Sequence, residues 1–482
     1  MNETALTWLV FILAFGGMVI IHEFGHFIVA RWCGIEVEEF GVGLPTPGAI
    51  TFWISKGFLA LKGGKRIEIP QNFNLPVAWN TLVDHDVKIT VDPVKDRFVL
   101  RTIELVRFVE NKQPPASPLK MDHIYVDQSG TVVEPQDHAE QGVSREIVRV
   151  GKKDGEVELT GIVTEVHPGT RFTLNWLPLG GFVRPKGEND PNIEGGLAAA
   201  SPWKRLAVLV AGPLMNLITA AIIFSIIFQR VGVPDTERVL VTGVVADSPA
   251  AQAGFLDGDI FVSGNDQVIK NYDDLRMIVD SNQNTPVLFV IDRGSERIEL
   301  TVIPQLDEET QRTMIGVGLG VPFRQADSWL QTVGLGIDST FYGMRTLISL
   351  PAQMIRGTLA PEESRLVGLK GIYDIMEQSV THDVQASENA PTATDTNPFD
   401  APVRTLNLIA SLSISLGIFN LFPFPALDGG RIIFVIPEII FRRRVPHQFE
   451  NLVHGVGMTL LLLLMIYVNV MDFINPITIT LP

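Results

Sequence analysis

The sequence I-I-H-E-F-G-H-F-I-V, residues 20–29, places His22, Glu23 and His26 inside an almost wholly apolar run. The run extends from Ala5 to Ala30 without a proline, which is long enough for a helix to cross a lipid bilayer. Residues four apart on a helix project from the same face, so the two imidazoles can hold one metal ion. Ionisable side chains at bilayer depth are costly and are usually functional. The stretch therefore predicts a metal-binding transmembrane helix.

Glu23 lies beside the histidine pair, where its carboxylate can accept a proton from a water molecule. Zinc suits two imidazoles and a carboxylate, and it leaves a fourth position open for that water. The spacing is the H-E-x-x-H pattern of zinc proteases. The alternative is a pair of packed core histidines with an unrelated glutamate between them. The apolar surroundings favour the metal site, because a membrane helix rarely carries three ionisable residues without one.

A third metal ligand must come from elsewhere in the chain, and Asp428 is the candidate. It lies in L-F-P-F-P-A-L-D-G-G-R, residues 421–431, and is the only carboxylate between Leu406 and Phe434. The alternative is an ordinary turn residue, because Asp-Gly favours turns. A turn is normally in contact with water, whereas this aspartate lies in sequence apolar enough for a membrane.

The two motifs together resemble those of the site-2 protease family of intramembrane zinc metalloproteases, and in particular its regulator-of-sigma-E branch. The resemblance rests on H-E-F-G-H in the first span and N-L-F-P-F-P-A-L-D-G-G in a late one. It implies Zn²⁺ as the cofactor, His22, His26 and Asp428 as its ligands, and Glu23 as the catalytic residue.

The resemblance also implies residues that bind the substrate. Asn420, Pro423 and Pro425 match a family loop that holds the substrate unwound. A plain helix break caused by the two prolines is the alternative.

A predicted edge strand is the second substrate-binding element. The stretch N-W-L-P-L-G-G-F-V, with Gly180, Gly181 and Phe182, resembles a family strand close to the zinc. A strand edge offers unpaired backbone groups, with which an extended substrate can pair. Upstream, E-E-F-G-V-G-L-P, residues 38–45, matches the start of a membrane-associated β-sheet, although a glycine-rich surface turn is the alternative.

Composition limits the other possibilities. At 482 residues the chain is long enough for several domains, and its net charge of −16 argues against a nucleic-acid partner. Cys33 is the only cysteine, which excludes an intramolecular disulfide and a cysteine metal site. The N-terminus lacks the features of a cleaved signal peptide, so the first apolar run is expected to be retained.

The predicted fold class is a multi-span α-helical membrane protein with about four transmembrane helices, a membrane-associated β-sheet, a PDZ-like α+β domain and an inserted mostly-β module. The expected divisions are the first transmembrane helix with the start of the sheet (1–71), the inserted cytoplasmic module (72–170), the edge strand with the second transmembrane helix (171–230), the PDZ-like domain (231–322), amphipathic helices with a polar loop (323–404), and the third and fourth transmembrane helices (405–482).

Two of these divisions depend on local patterns. S-P-A-A-Q-A-G, residues 248–254, followed by D-G-D, resembles a PDZ domain of the protease-associated type. Residues 72–170 show β-type alternation separated by turn signals, and the family resemblance does not cover them. Such a module either recruits the substrate by extending the edge at Gly181 and Phe182, or is a decorative insertion.

Positive residues near the ends of spans predict the orientation. Lysines and arginines gather at 31–66, 184–205 and 442–444, on one side of the expected spans, and none precedes the first span or follows the fourth. Both termini and the PDZ-like domain are therefore expected outside a bacterial inner (plasma) membrane. The active site and the insertion are expected to face the cytoplasm.

The resemblance implies that the chain cleaves single-span membrane proteins within the lipid bilayer. Expected substrates are anti-sigma factors or remnant signal peptides, trimmed beforehand by a first-cutting protease, in regulated intramembrane proteolysis. One alternative is a non-catalytic membrane scaffold that works through its PDZ-like domain, against which the intact Glu23 argues. Another is a soluble-type zinc peptidase on a membrane anchor, whose H-E-x-x-H helix would be amphipathic.

Overall fold

The structure, a computed structural model, describes the part of the chain given by residues 3–43, 45, 48–73, 79–94, 97–106, 125–126, 132–133, 157–176, 180–188, 190–307, 312–357, 366–388 and 402–475. Its contacts divide the chain into two compact units. The histidine unit comprises Val10–Met215 and Phe419–Leu462. The PDZ unit comprises Met1–Leu9, Asn216–Ile418 and Leu463–Pro482.

The helices, in chain order, are α1 Glu3–Trp32, α2 Pro202–Val231, α3 Pro249–Ala253, α4 Tyr272–Ser281, α5 Trp329–Arg356, α6 Leu369–Glu388, α7 Arg404–Leu421, α8 Asp428–Phe441 and α9 His447–Ile474. A 3₁₀ helix spans Trp79–Leu82.

The strands, in chain order, are β1 Val37–Val42, β2 Ile50–Ile54, β3 Gly57–Leu61, β4 Arg66–Ile69, β5 Asp86–Val94, β6 Arg97–Val106, β7 Tyr125–Val126, β8 Val132–Val133, β9 Val157–His167, β10 Arg171–Leu174, β11 Gly181–Pro185, β12 Val233–Pro234, β13 Val239–Val244, β14 Ile260–Gly264, β15 Gln267–Val268, β16 Val287–Arg293, β17 Glu296–Val302, β18 Gln305–Asp307, β19 Arg312–Met314, β20 Val317–Gly320 and β21 Phe323–Arg324.

Four helices of the described chain, α1, α2, α7 and α9, are long and apolar enough to cross a bilayer. This agrees with the prediction of about four transmembrane helices. The third span was expected to break at Pro423 and Pro425 and to continue to about Phe441. Helix α7 ends at Leu421 and a separate helix, α8, begins at Asp428. The prolines lie in the turn between them, because proline cannot continue a helical hydrogen-bond ladder. With 14 residues, α8 is too short to span a bilayer alone.

A four-stranded sheet of the histidine unit has the strand order β11-β1-β10-β2. Strand β1 runs parallel to β10 and antiparallel to β11. Among the described strands, β11 therefore forms one edge of the sheet, as the sequence predicted for this segment. The sheet joins segments on both sides of the insertion, because β1 and β2 precede it and β10 and β11 follow it.

A second sheet of the histidine unit has the order β4-β3-β9-β5-β6-β7-β8. Its core contains Leu59, Ile67, Ile89 and Leu159. Strands β3 and β4 pair within this sheet, although they precede residue 72, the predicted start of the inserted module. Leu59 and Leu61 of β3 lie in the core of this sheet. Between 107 and 156, the predicted insertion lies outside the described residues except for β7 and β8.

The PDZ unit contains a sheet of order β17-β16-β14-β13-β20, with two short helices. Ser248 caps α3 by accepting a hydrogen bond from the Ala251 amide, and Asn271 caps α4 in the same way. The core of this domain contains Phe255, Phe261 and Phe289 together with buried aliphatic side chains. Strands β12 and β21 pair at the two ends of this segment, close to the predicted limits of 231 and 322.

The segment predicted as amphipathic helices forms α5 and α6. Helix α5 approaches α2 through Gly336, where an added Cβ would lie 2.3 Å from Ser225 Oγ and 2.5 Å from the Ala221 carbonyl oxygen. The polar loop predicted after α6 lies outside the described residues.

Candidate metal centre and active site

The structure brings together His22 and His26 of α1 and Asp428, the first residue of α8. Nε2 of His22 lies 3.1 Å from Oδ2 of Asp428, and Nε2 of His26 lies 3.4 Å from the same oxygen. The two Nε2 atoms are 3.2 Å apart. Ligands placed about 2.0–2.1 Å from a tetrahedral Zn²⁺ lie about 3.3 Å from one another. The three atoms therefore have the spacing of three corners of a zinc tetrahedron, with the fourth left for water or substrate.

The neighbouring backbone orients the second histidine. Nδ1 of His26 lies 2.7 Å from the carbonyl oxygen of Val208 in α2. A carbonyl oxygen only accepts hydrogen bonds, so Nδ1 carries the proton and donates it. Nε2 then keeps its lone pair for a metal, which is the usual arrangement for a ligating histidine.

Helix α2 approaches the two imidazoles through a glycine. A Cβ on Gly212 would lie 2.3 Å from His26 Nε2 and 2.8 Å from His22 Nε2. On the other side of this contact, a Cβ on Gly25 would lie 2.5 Å from the Ala211 carbonyl oxygen. Small residues of this kind allow membrane helices to pack closely. No local pattern predicted the role of Gly212, although the small-residue pair Ala211-Gly212 in an apolar span was a possible signal.

The turn before α8 positions Asp428. Ala426 has a φ of 82°, an unfavourable conformation for a residue with a Cβ. Its amide donates a hydrogen bond to Nδ1 of His454 in α9, over 3.0 Å. A Cβ on Gly457, also in α9, would lie 2.3 Å from the Pro425 Cβ. Helix α9 therefore supports a strained turn, which the sequence did not reveal.

The two glycines after Asp428 allow α8 to start against the same turn. A Cβ on Gly429 would lie 2.1 Å from the Phe422 carbonyl oxygen, and one on Gly430 would lie 2.3 Å from that of Phe424. Neither approach would accommodate a side chain. The D-G-G sequence is thus explained by close packing as well as by its turn preference.

Glu23 contacts the edge strand. The amide of Val183 in β11 donates a hydrogen bond to Oε2 of Glu23 over 3.0 Å. A Cβ on Gly181 would lie 3.7 Å from Cγ of Glu23, so the strand runs beside this side chain. The candidate catalytic carboxylate and the candidate substrate strand are therefore in direct contact.

The register of β11 decides which of its backbone groups are available. The Gly43 amide donates to the Gly180 carbonyl, so Gly180 and Phe182 direct their backbone polar groups towards β1. Gly181 and Val183, which alternate with them, direct theirs outward. The ring of Phe182 occupies the space above Gly41, where a Cβ would lie 2.2 Å from it.

The remaining candidate substrate residues lie on the approach to α8. Pro423 and Pro425 are in the turn itself, and Asn420 is the penultimate residue of α7. Their roles towards a substrate stay predictions.

An ion pair connects the segment after β11 with α8. Glu188 Oε1 pairs with Arg431 Nη1, one helical turn beyond Asp428. A second pair joins the buried Arg205, at the start of α2, to Glu438 of α8. Both pairs join residues far apart in sequence, and no local pattern predicted them.

A family model described as "Peptidase family M50" matches residues 10–67 and 156–464. The chain belongs to peptidase family M50. The match leaves out most of the predicted insertion, and the sequence-based assignment to the site-2 proteases, and hence to metallopeptidases, is confirmed.

Similar proteins extend over nearly the whole chain. A zinc metalloprotease RasP of Oceanobacillus iheyensis is 28% identical, covering 96% of this chain and 97% of its own. The regulator of sigma-W protease RasP of Bacillus subtilis is 24% identical, covering 96% of this chain and 97% of its own. A putative zinc metalloprotease of Clostridium perfringens is 32% identical, covering 64% of this chain and 85% of its own. These names and the His22–His26–Asp428 group confirm the prediction of Zn²⁺ as the cofactor.

A solved PDZ domain of an SdrC-like protein from Listeria monocytogenes matches 17% of this chain and 87% of its own, at 20% identity and a TM-score of 0.16. A score this low carries no argument about the whole fold.

Proposed function

We propose that this peptidase is a zinc-dependent intramembrane endopeptidase that cuts single-span membrane proteins within or near their membrane span. The observation that carries the proposal is the meeting of Asp428 with His22 and His26 at zinc-ligand spacing, with both histidines on a helix apolar enough to span a bilayer. A site on such a helix serves substrates that are themselves in the membrane. A peptidase acting on soluble proteins would not need two histidines and a glutamate at bilayer depth, where ionisable side chains are energetically unfavourable.

Bound by these ligands, Zn²⁺ supplies Lewis-acid chemistry, which makes water more acidic and polarises a peptide carbonyl. The protein supplies the proton transfers and the geometry. The Glu23 carboxylate accepts a proton from the attacking water and passes it to the nitrogen of the leaving amine. His26, oriented by the Val208 carbonyl, and Asp428, positioned by the turn at Ala426, keep the ligand set in place.

The substrate must be extended before it is cut, because a helix shields its carbonyl groups within its own hydrogen bonds. Strand β11 suits this task, since the outward backbone groups of Gly181 and Val183 can pair with an added strand. Within the predicted set, Gly180 and Phe182 would then support the edge rather than bind the substrate through their backbone. Asn420, Pro423 and Pro425 would keep the substrate unwound beside Asp428.

The proposed location is a bacterial inner membrane, with both termini and the PDZ-like domain outside and the active site towards the cytoplasm. The distribution of lysine and arginine supports this orientation. Anti-sigma factors or remnant signal peptides, trimmed first by another protease, are the proposed substrates. The name of the Bacillus subtilis relative, a regulator of sigma-W protease, is consistent with the first of these. The PDZ-like domain would restrict access to trimmed substrates.

A proteome comparison tests the proposed function. Membranes containing the active protein are compared with membranes containing Glu23→Gln at the same level. Single-span fragments shortened on the outer side should accumulate with Glu23→Gln and disappear with the active protein. Glu38→Gln is the matched control, because Glu38 is exposed on β1 and its replacement changes the charge equally. Identical membrane fragments in the Glu23→Gln and active samples would contradict the proposal.

A further inference from the structure

The Val183 amide is the one outward donor of β11 that the structure shows in use. Its partner is Oε2 of Glu23, at 3.0 Å. Strand pairing at this edge would require the same amide, because residues that face outward offer both their N–H and their C=O to the added strand. The next outward-facing residue towards the end of the strand is Pro185, which has no amide proton. Within the described strand β11, only the amides of Gly181 and Val183 can therefore be offered to an incoming chain.

We propose that Glu23 and the substrate backbone compete for the Val183 amide, so that strand pairing releases the Glu23 carboxylate for proton transfer. The inference rests on the proposed function and adds to it a link between substrate binding and the base. Before binding, Glu23 is held against β11. When a substrate carbonyl accepts the hydrogen bond of the Val183 amide, Oε2 loses this donor. Oε2 is then free to accept a proton from water.

The strengths of the competing bonds favour extended substrates. A hydrogen bond to a carboxylate is roughly twice as strong as one between neutral groups. A single substrate carbonyl therefore does not displace Glu23 by itself. A chain that also pairs with the Gly181 amide and the outward carbonyls gains further hydrogen bonds. These offset the loss of the bond between Val183 and the Glu23 carboxylate. Short or helical segments cannot form this ladder and would leave Glu23 in place.

The position of Val183 permits a clean substitution. Its amide points away from β1, so Val183→Pro removes the contested donor while leaving the β1–β11 ladder intact. Proline is tolerated at such a position because only an outward N–H is lost. Val183→Ala is the matched control, since it shortens the side chain and keeps the amide.

The experiment measures binding without cleavage. Full-length protein in detergent carries either Glu23→Gln, whose side-chain oxygen can still accept from Val183, or Glu23→Ala, which has no acceptor. Each is combined with native Val183, Val183→Pro or Val183→Ala. A fluorescently labelled single-span peptide, extended at its cytoplasmic end, serves as the probe, and zinc content checks the integrity of each variant.

With native Val183 or Val183→Ala, Glu23→Ala should bind the peptide about 2- to 12-fold more tightly than Glu23→Gln, the equivalent of one hydrogen bond. The difference should vanish with Val183→Pro. Equal affinities of Glu23→Ala and Glu23→Gln, while Val183→Pro still weakens binding, would overturn the competition and leave edge pairing intact. If Val183→Pro left the affinity for the peptide unchanged, both edge pairing and the competition would be overturned. That result would not bear on whether the protein is a peptidase.

A second measurement avoids the proline. Proton exchange at the Val183 amide, followed by NMR in valine-labelled protein, should be slow in Glu23→Gln and faster in Glu23→Ala. Addition of the peptide should slow it again in Glu23→Ala. Exchange at one rate in all three samples would contradict the inference, even if Val183→Pro failed to fold.

Discussion

The ring of His454 accepts a hydrogen bond from the backbone amide of Ala426, with 3.0 Å between Nδ1 and the amide nitrogen. This contact ties α9 to the turn that precedes Asp428. Because Ala426 has a positive φ, the turn needs support from its surroundings to keep its conformation. The position of Asp428, the candidate third metal ligand, therefore depends on a residue outside the candidate metal group.

Replacing His454 with leucine should weaken zinc binding roughly 10- to 100-fold, in the range typical of outer-shell partners of metal ligands. The variant leaves the Ala426 amide without its acceptor and lets Asp428 shift. Competition with a chromogenic chelator measures the affinity. His454→Asn is the control, because its Oδ1 occupies nearly the position of Nδ1 and should restore binding. Native affinity in His454→Leu would show that the turn holds without this contact.

Gly212→Ala should abolish zinc binding and cleavage, because its Cβ would lie 2.3 Å from Nε2 of His26. Alanine is a better helix former than glycine by about 1 kcal/mol, so a general loss of helix stability cannot explain the effect. Gly17→Ala is the matched control in α1, where nothing lies within 4 Å of the added Cβ. Zinc content and turnover are the measurements, and a Gly212→Ala protein with both intact would refute the close approach.

Much of the candidate site could be predicted from the sequence. The helical spacing of His22 and His26 is local, and Asp428 is recognisable because a lone carboxylate in apolar sequence is unusual. The contacts of Gly212 and His454 could not be predicted in this way. They depend on how helices distant in sequence pack against one another. A single glycine or histidine in the sequence does not indicate which helix it contacts.

The fold shows the same division. Strand alternation predicted a β module from residue 72. It did not reveal that β3 pairs with β9 in the same sheet, because β-pairing partners are distant in sequence. Helix caps, by contrast, are local features: Ser248 caps α3 and Asn271 caps α4 through side chains next to the helices they begin.

Asp428→Ala should lose zinc, because two imidazoles alone do not complete a zinc site. Zinc content after purification, with and without added zinc, measures the effect. Asn420→Ala is the comparison, since Asn420 is the other polar residue near the turn and is expected to keep the metal. If Asp428→Ala kept zinc and Asn420→Ala lost it, the ligand would be Asn420.

The β module of residues 57–167 should be removable without loss of zinc. Its two ends meet where the Ser55 amide donates to the Thr170 carbonyl over 2.9 Å. Replacing residues 57–167 by a short Gly-Ser linker therefore preserves the pairing of β2 with β10. Among the described strands, none of this module pairs with β11.

Zinc content and the rate of cleavage of one defined substrate should be unchanged in this deletion. A parallel assay of several native substrates separates a recruiting module from a decorative one. Loss of zinc in a deletion variant that still folds would contradict the independence of the module.

The most direct test of the central claim is product mapping in reconstituted liposomes. Purified protein and Glu23→Gln are each incorporated with a trimmed single-span substrate, and mass spectrometry identifies the new termini. The native protein should produce termini within or next to the span. Glu23→Gln should retain its zinc and cut at least about 10²-fold more slowly, the usual cost of losing a general base. Near-native turnover by Glu23→Gln, or termini found only far outside the span, would contradict the account.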